Sequence, residues 1–403
     1  VPALIDGEPI TTGLSAKRQN KNQIDGHQVE AQYLFRDDRF NVIAGASIYH
    51  FRNKREDAAG SFQIVDNNLF QSLPPLIKAE YEALLNSPVT KTNLPNTISE
   101  RNVGYIYSNL NLLRNMNWTL GFSYNAYDPN EGRSINGDHF KVNKASPKFG
   151  LQWDVTNNSR LRFAWFETVK SALIANQTLE PTQVAGFNQF FDDLNGTRSR
   201  FIGGGLDTRV GNNIYTGLEV SRRDLDAPII DRTSLNSLPQ MFPHHNEEQK
   251  ENRYRAYFYW MIHTHWVIKA EPQYEKLGRA SQNLLDSDPF KIKTFTIPLS
   301  IDYFDPRGYF ASLTGTFVNQ HVQRLKIMGN GGTVNAENIS KFFQLGATAG
   351  FRFPNRRGIL SVEGRNLLDE QFDYVNQYFN ISEPVRPRYL PERTIFARIT
   401  LNF

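Results

Sequence analysis

The chain has 403 residues, 45 of them Lys or Arg against 41 Asp or Glu, for a net charge of +4, and it contains no cysteine. Positive and negative residues are interspersed. The concentrated basic stripe of a nucleic-acid partner is missing, and disulfides and thiolate metal sites are excluded. No run of about eighteen apolar residues occurs, which excludes a transmembrane helix.

Aromatic residues make up 13% of the chain, with 29 Phe and 17 Tyr, although its mean hydropathy is low. A polar lumen, polar loops and aromatic girdles would give this combination in a membrane barrel. A soluble all-β protein would give it as well, so the arrangement of residues has to decide.

Residues 1–25 show no clear period and read as a leader or loop. No basic, apolar leader opens at Val1, so a secretion signal is expected to precede the sequence or to have been removed. From residue 26 a barrel domain is expected to run to 403. Val29, Ala31, Tyr33 and Phe35 alternate with Gln28, Glu30 and Gln32. After Arg36–Arg39 the return strand carries Phe40, Val42, Ala44, Ala46 and Ile48, a hairpin of period two. A long connection is expected from about Asn53 to Thr97, with a short helix over Pro74–Leu85 from the spacing of Leu76, Ile77, Tyr81, Leu84 and Leu85.

Further hairpins turn at Arg114–Asn117, Thr156–Ser159, Val210–Asn213, His263–His265, Asp305–Gly308 and Pro354–Gly358. Trp118, Leu120, Phe122, Tyr124 and Ala126 fit one face of a strand, as do Tyr254, Ala256, Phe258, Trp260 and Ile262. Gly203-Gly204-Gly205 removes side chains where a close approach or sharp curvature is needed. Pro298 cannot donate to a ladder, so a bulge is expected there. In the last stretch, Ile395, Ala397, Ile399, Leu401 and Phe403 face one way, and Phe396, Arg398, Thr400 and Asn402 the other.

Short turns alternate with long connections, the pattern of an outer-membrane barrel whose short turns are periplasmic. The fold class that follows is all-β: a transmembrane, antiparallel, up-and-down β-barrel of about sixteen strands. About fifteen are legible. Even parity calls for one ascending strand before Gln28–Phe35, expected near Val1–Gly7 or in sequence upstream of it.

Ser361–Tyr374, with Asn366-Leu367-Leu368-Asp369 at its centre, resembles the penultimate segment of TonB-dependent receptor barrels, and Arg388–Phe403 resembles their last. Asn176–Thr182 is a weaker echo of a loop in the same barrels. The resemblance implies an outer-membrane barrel, with lipid around it and a TonB-type partner. Two features depart from it: those receptors have 22 strands and an N-terminal plug, and neither is found here. By size the chain also resembles the sixteen-stranded barrels of exopolysaccharide exporters. Thr182–Asp193 is similar to barrels joined to periplasmic tetratricopeptide repeats, although no such repeat is visible.

Alternation assigns to the lumen Glu30, Lys148, Gln152, Asp154, Arg160, Arg162, Glu219, Arg253, Arg255, Tyr257, Tyr259, Lys269, Glu271, Glu275, Arg352, Glu363, Arg365 and Arg398. Charged rings can set solute preference, and cross-strand ion pairs that only line a wall use the same residues. Phe187–Thr197 is unusually apolar for an exposed tip. Its Phe187, Phe190, Phe191, Asp192 and Asp193 are candidates for a gate, or for packing against neighbouring loops. His244, His245, His263 and His265 lack a further partner at metal-ligand spacing, so no metal or other cofactor is implied.

The expected function is an export or translocation channel of the bacterial outer membrane, with polysaccharide as one cargo, working with a periplasmic repeat domain. The alternative is a receptor-type barrel for uptake. A barrel-embedded hydrolase is a further alternative, but no Gly-x-Ser-x-Gly motif supports it, and the chain is not expected to be an enzyme.

Overall fold

The computed structural model describes residues 2–5, 8–11, 14–64, 71, 78, 82, 90–93, 97–128, 141–170, 177–189, 193–230, 244–280, 289–327, 333–376 and 389–402. A strand between two solvents must alternate its side chains with a period of two, and the described residues do so almost throughout. The first eight barrel strands are β1 (Leu14–Arg36), β2 (Phe40–Ile64), β3 (Thr97–Leu113), β4 (Met116–Asp128), β5 (Val142–Thr156), β6 (Ser159–Val169), β7 (Arg198–Val210) and β8 (Ile214–Ile230). The rest are β9 (His244–His263), β10 (Trp266–Ala270 continued by Gln273–Arg279), β11 (Pro289–Phe304), β12 (Tyr309–Ile327), β13 (Thr333–Arg352), β14 (Gly358–Arg365) and β15 (Thr394–Leu401).

They run antiparallel in chain order as one sheet closed into a barrel, with β15 and β1 neighbours at its seam. Thr90–Asn93 extends the line of β3 along β2. Taken separately, it brings the count to the sixteen expected.

The outward face is greasy. Leu218 and Val220 on β8 are 59% and 52% exposed, and Trp118, Phe149 and Phe163 form a run of ring contacts across β4–β6. Large apolar side chains held in the open over so many strands require a nonaqueous surround. Short turns gather at one end, at residues 37–39, 114–115, 157–158, 211–213, 264–265 and 305–308.

Several expectations are corrected. β1 begins at Leu14, inside the supposed leader, and β2 continues to Ile64, so the long connection starts later than Asn53. These strands have 23 and 25 residues, more than twice the roughly 9–11 that cross a bilayer, and the surplus lies on the long-loop side. Among the described residues near Val1–Gly7 there is no barrel strand: Pro2–Ile5 pairs with Glu8–Thr11 in a separate two-stranded sheet. The helix expected over Pro74–Leu85 falls largely outside the described residues.

Pro298 makes no bulge. Ala270 pairs with Leu299 and Gln273 with Thr296, which is the same register on either side of a gap. Within the gap Glu271 N donates to Pro298 O at 3.1 Å. Pro298 has no N–H to return the bond, so the ladder loses a rung without slipping.

Candidate functional site: two loops folded into the lumen

On the wall from β5 to β11 most of the expected pore-lining residues are matched in charge. Arg160 pairs with Asp154 at 2.6 Å. Arg162 bridges Asp207 at 2.6 Å and Glu219 at 3.4 Å. Arg255 meets Glu271 at 3.7 Å, and Lys269 meets Asp302 at 3.0 Å. Tyr257 donates to Asp207 at 2.6 Å, Tyr259 donates to Glu271, and the two rings stack 5.2 Å apart. Farther round, Arg365 meets Glu363 at 2.5 Å, and Arg352 lies over the rings of Phe304 and Phe310. Arg398 stands opposite Ser361. Alternating charges in contact cancel beyond their own separation. This wall therefore offers dipoles and aromatic faces to a solute, and lacks a ring of one sign.

One connection of the long-loop end, between β6 and β7, turns back into the barrel. Its anchor is Glu30 on β1, whose carboxylate accepts from Tyr49 Oη at 2.7 Å, Thr178 Oγ1 at 2.8 Å and the Leu179 N–H at 2.7 Å. Gln32 Nε2 donates to Leu179 O at 2.5 Å, and Gln28 Nε2 to Gln177 O at 3.1 Å. Next along the loop, the buried Glu180 accepts from Tyr107 Oη at 2.7 Å. The buried Gln189 reaches the same hydroxyl at 3.0 Å. Loop residues 177–189 thus reach from β6 back to β1, over the inner faces of the strands between.

The loop's own turn is a miniature hairpin in which Gln183 pairs with Asn188 and Val184 with Phe187. Its central residues, Ala185 at φ 49° and Gly186 at φ 85°, both occupy the left-handed region. A two-residue turn of the I′ kind requires this of both, with ease for glycine and strain for alanine. The tip is pressed against the wall at Gly150, where an added Cβ would lie 2.8 Å from Ala185 Cβ and 2.9 Å from Val184 Cγ1. Gly203, in the triple-glycine stretch of β7, leaves room in the same way for Phe187 and Phe201. Phe187 is buried among Val103, Tyr105, Tyr107, Phe166 and Phe201, and the Arg162 guanidinium lies 4.9 Å over its ring.

The loop's return limb is tied by charge. Asp193 pairs with the buried Arg223 of β8, which also holds Glu251 at 2.8 Å. Glu251 in turn meets Arg253 at 3.3 Å, and Arg253 meets Glu275 at 2.9 Å. Burial pushes the Asp193 carboxyl above the ordinary carboxylate range, since Arg223 is shared with Glu251 and cannot offset both.

The connection between β14 and β15 also folds inward, against the wall β11–β13. Phe372 stacks on the buried Phe342 at 3.8 Å, with Tyr374 and Tyr389 edge-on to that ring. Gln320 and Val375 exchange two hydrogen bonds, Val375 N–H to Oε1 at 2.8 Å and Nε2 to Val375 O at 2.9 Å. Between loop and wall lies a polar cavity of about 320 Å³ bordered by Arg324, Asn338, Ser340 and Asp373.

Of the expected gate residues, Phe187 and Asp193 are thus fixed to the barrel's inner wall, while Phe190, Phe191 and Asp192 lie outside the described residues. The structure adds residues that alternation alone did not single out: Tyr49, Tyr107, Glu180, Gln189, Arg223 and Glu251 for the first loop, and Gln320, Phe342 and Phe372 for the second. A signal existed in β3, where Val103, Tyr105 and Tyr107 face the lumen. Apolar and aromatic side chains on a nominally wet face call for something to cover them.

The lipid-compatible band, the short-turn end and the luminal loops define an outer-membrane β-barrel with the fold of TonB-dependent receptor barrels. Among solved structures, the chain is similar to the copper transporter OprC (TM-score 0.58, 12% identity, 94% of this chain and 57% of that one). It is also similar to the ferripyoverdine receptor of the outer membrane of Pseudomonas aeruginosa (0.56, 11%, 92% and 48%). A third is the ferric citrate transporter FecA (0.54, 13%, 98% and 56%). The chain spans about half the length of these proteins. No protein-family model and no curated protein matches the sequence.

Proposed function

We propose that the barrel serves receptor-type, energised uptake of a solute across the bacterial outer membrane, with a TonB-type partner on the periplasmic side. The observation that carries this reading is that residues 177–189 and Asp193 of one connection are bonded into the lumen at Glu30, Tyr107 and Arg223. An export duct needs an unobstructed bore, whereas a receptor needs an occupied lumen that rearranges under load. The fold neighbours, named as transporters and a receptor, support the same choice. They lend nothing to the export channel and periplasmic repeat domain that the size of the chain suggested. The reading assigns no catalytic residue.

The test is electrical and energetic. In planar bilayers the protein is expected to stay silent, and uptake in cells is expected to stop when the proton-motive force is dissipated. Steady large-pore conductance without any partner would overturn the proposal.

A further inference from the structure

The outward band is not uniformly convex. Across β11–β14 two adjacent rungs of the sheet carry small residues, between larger ones such as Tyr309, Phe351, Leu345 and Phe343. Ala311 pairs with Ala349, and Ala347 with Gly364. These four residues floor a groove of about 900 Å³ on the outer surface. Trp266 and Tyr303, whose rings lie 4.8 Å apart, form one bank. Val362 and Ile395, 49% and 66% exposed, form the other. Leu367 reaches over Gly364, closing the groove toward the long-loop end: an added Cβ there would lie 2.6 Å from its Cδ2.

At its other end the groove runs into two short turns. Tyr303 is two residues from the turn Asp305–Gly308, and Ala349 is three residues from Arg352, where the turn to β14 begins. At about 3.3 Å per residue, the near end of the floor, at Ala311 and Ala349, lies within about 10 Å of both turns. These turns expose Arg307, Arg356 and Arg357. The acid among them, Asp305, is engaged within its own turn, accepting from the Arg307 N–H at 2.7 Å and Tyr303 Oη at 3.0 Å. Arg352 is directed inward, over Phe304 and Phe310. A groove with an apolar floor, an aromatic bank at the interface and three exposed guanidiniums beyond its mouth matches the two halves of an anionic amphiphile.

We propose that this groove is a binding site for one anionic glycerophospholipid of the periplasmic leaflet. An acyl chain lies over Ala311, Ala347, Ala349 and Gly364, and the phosphate sits among Arg307, Arg356 and Arg357. Guanidinium groups suit this role because their paired N–H donors match phosphate oxygens. The proposal rests on the outward face meeting lipid and is independent of what the lumen transports.

The test is native mass spectrometry of the detergent-purified protein titrated with phosphatidylglycerol and, separately, with phosphatidylcholine. One bound phosphatidylglycerol is expected, preferred over phosphatidylcholine by roughly tenfold to a hundredfold from three surface arginines. Combined Arg307→Gln, Arg356→Gln and Arg357→Gln is expected to abolish the preference while chain-dependent retention persists. Ala349→Phe, which fills the floor, is expected to lose both lipids, and Ala311→Leu gives an independent filling of the same space. Equal retention by the filled variants and the native chain would overturn the site, as would a dimer that resists lipid and buries the groove. Heat-modifiable gel migration is read for every sample, so failure of the membrane-barrel reading shows in the native chain itself.

Discussion

Replacing Phe187 by alanine tests whether the inward loop is held by packing. The ring is 3% exposed, stacks obliquely on Phe201 at 5.4 Å and lies beneath the Arg162 guanidinium. Truncating a buried phenylalanine costs about 3–5 kcal/mol. The cost falls on the docking of one loop, because the strands around it keep their ladders. At about 1.4 kcal/mol per tenfold, the undocked population should rise by roughly two to three and a half orders of magnitude. Hydrogen exchange reads this directly: the amides of Val184–Asn188 should lose protection by that factor, while those of β6 and β7 hold theirs. In bilayers the same variant should show brief openings that the native protein lacks. Unchanged protection at Val184–Asn188 in a variant that still migrates as a folded barrel would refute the argument.

Other perturbations bear on the same loop. Gly150→Val places a side chain where Val184 and Ala185 now lie within 3 Å. It should weaken docking by about 1–3 kcal/mol through overpacking, seen as proteolytic cutting within the loop of an otherwise intact barrel. Ala185→Gly should act in the opposite direction, strengthening docking by up to about 1–2 kcal/mol as left-handed strain is relieved and slowing exchange at the hairpin. Arg223→Met leaves Asp193 and Glu251 buried without their shared cation, a loss of about 3–5 kcal/mol measurable in the urea midpoint for loop release. Acidification should tighten the loop: the Asp193 carboxyl is raised in the docked state, so undocking releases a proton, and docking gains as pH falls from the raised value toward about 3.9. A spin label at Thr182→Cys, on a chain with no other cysteine, should therefore become less mobile on acidification, and Asp193→Asn should remove the dependence.

Much of the barrel follows from the order of residues alone. Once water lies on one side of a strand and lipid on the other, the alternation in Trp118–Ala126 or Tyr254–Ile262 leaves a strand no second way to face. The short turns at Thr156–Ser159 and Asp305–Gly308 then fix its neighbour, because a hairpin this tight admits only the adjacent antiparallel partner. Pro298 shows where local chemistry stops deciding: its missing donor suggested a bulge, but pairing with Thr316 on its other side holds the register.

The contents of the lumen depended on contacts between residues far apart in the chain. Glu30 and Leu179 are 149 residues apart, Tyr107 and Gln189 82, and Gln320 and Val375 55. Periodicity reports only which solvent or neighbour a side chain's own strand turns it toward. It cannot report that a distant loop will enter the bore, satisfy a buried carboxylate and occupy the space left by Gly150 and Gly203. That placement arises only when closing the sheet brings those strands around one interior.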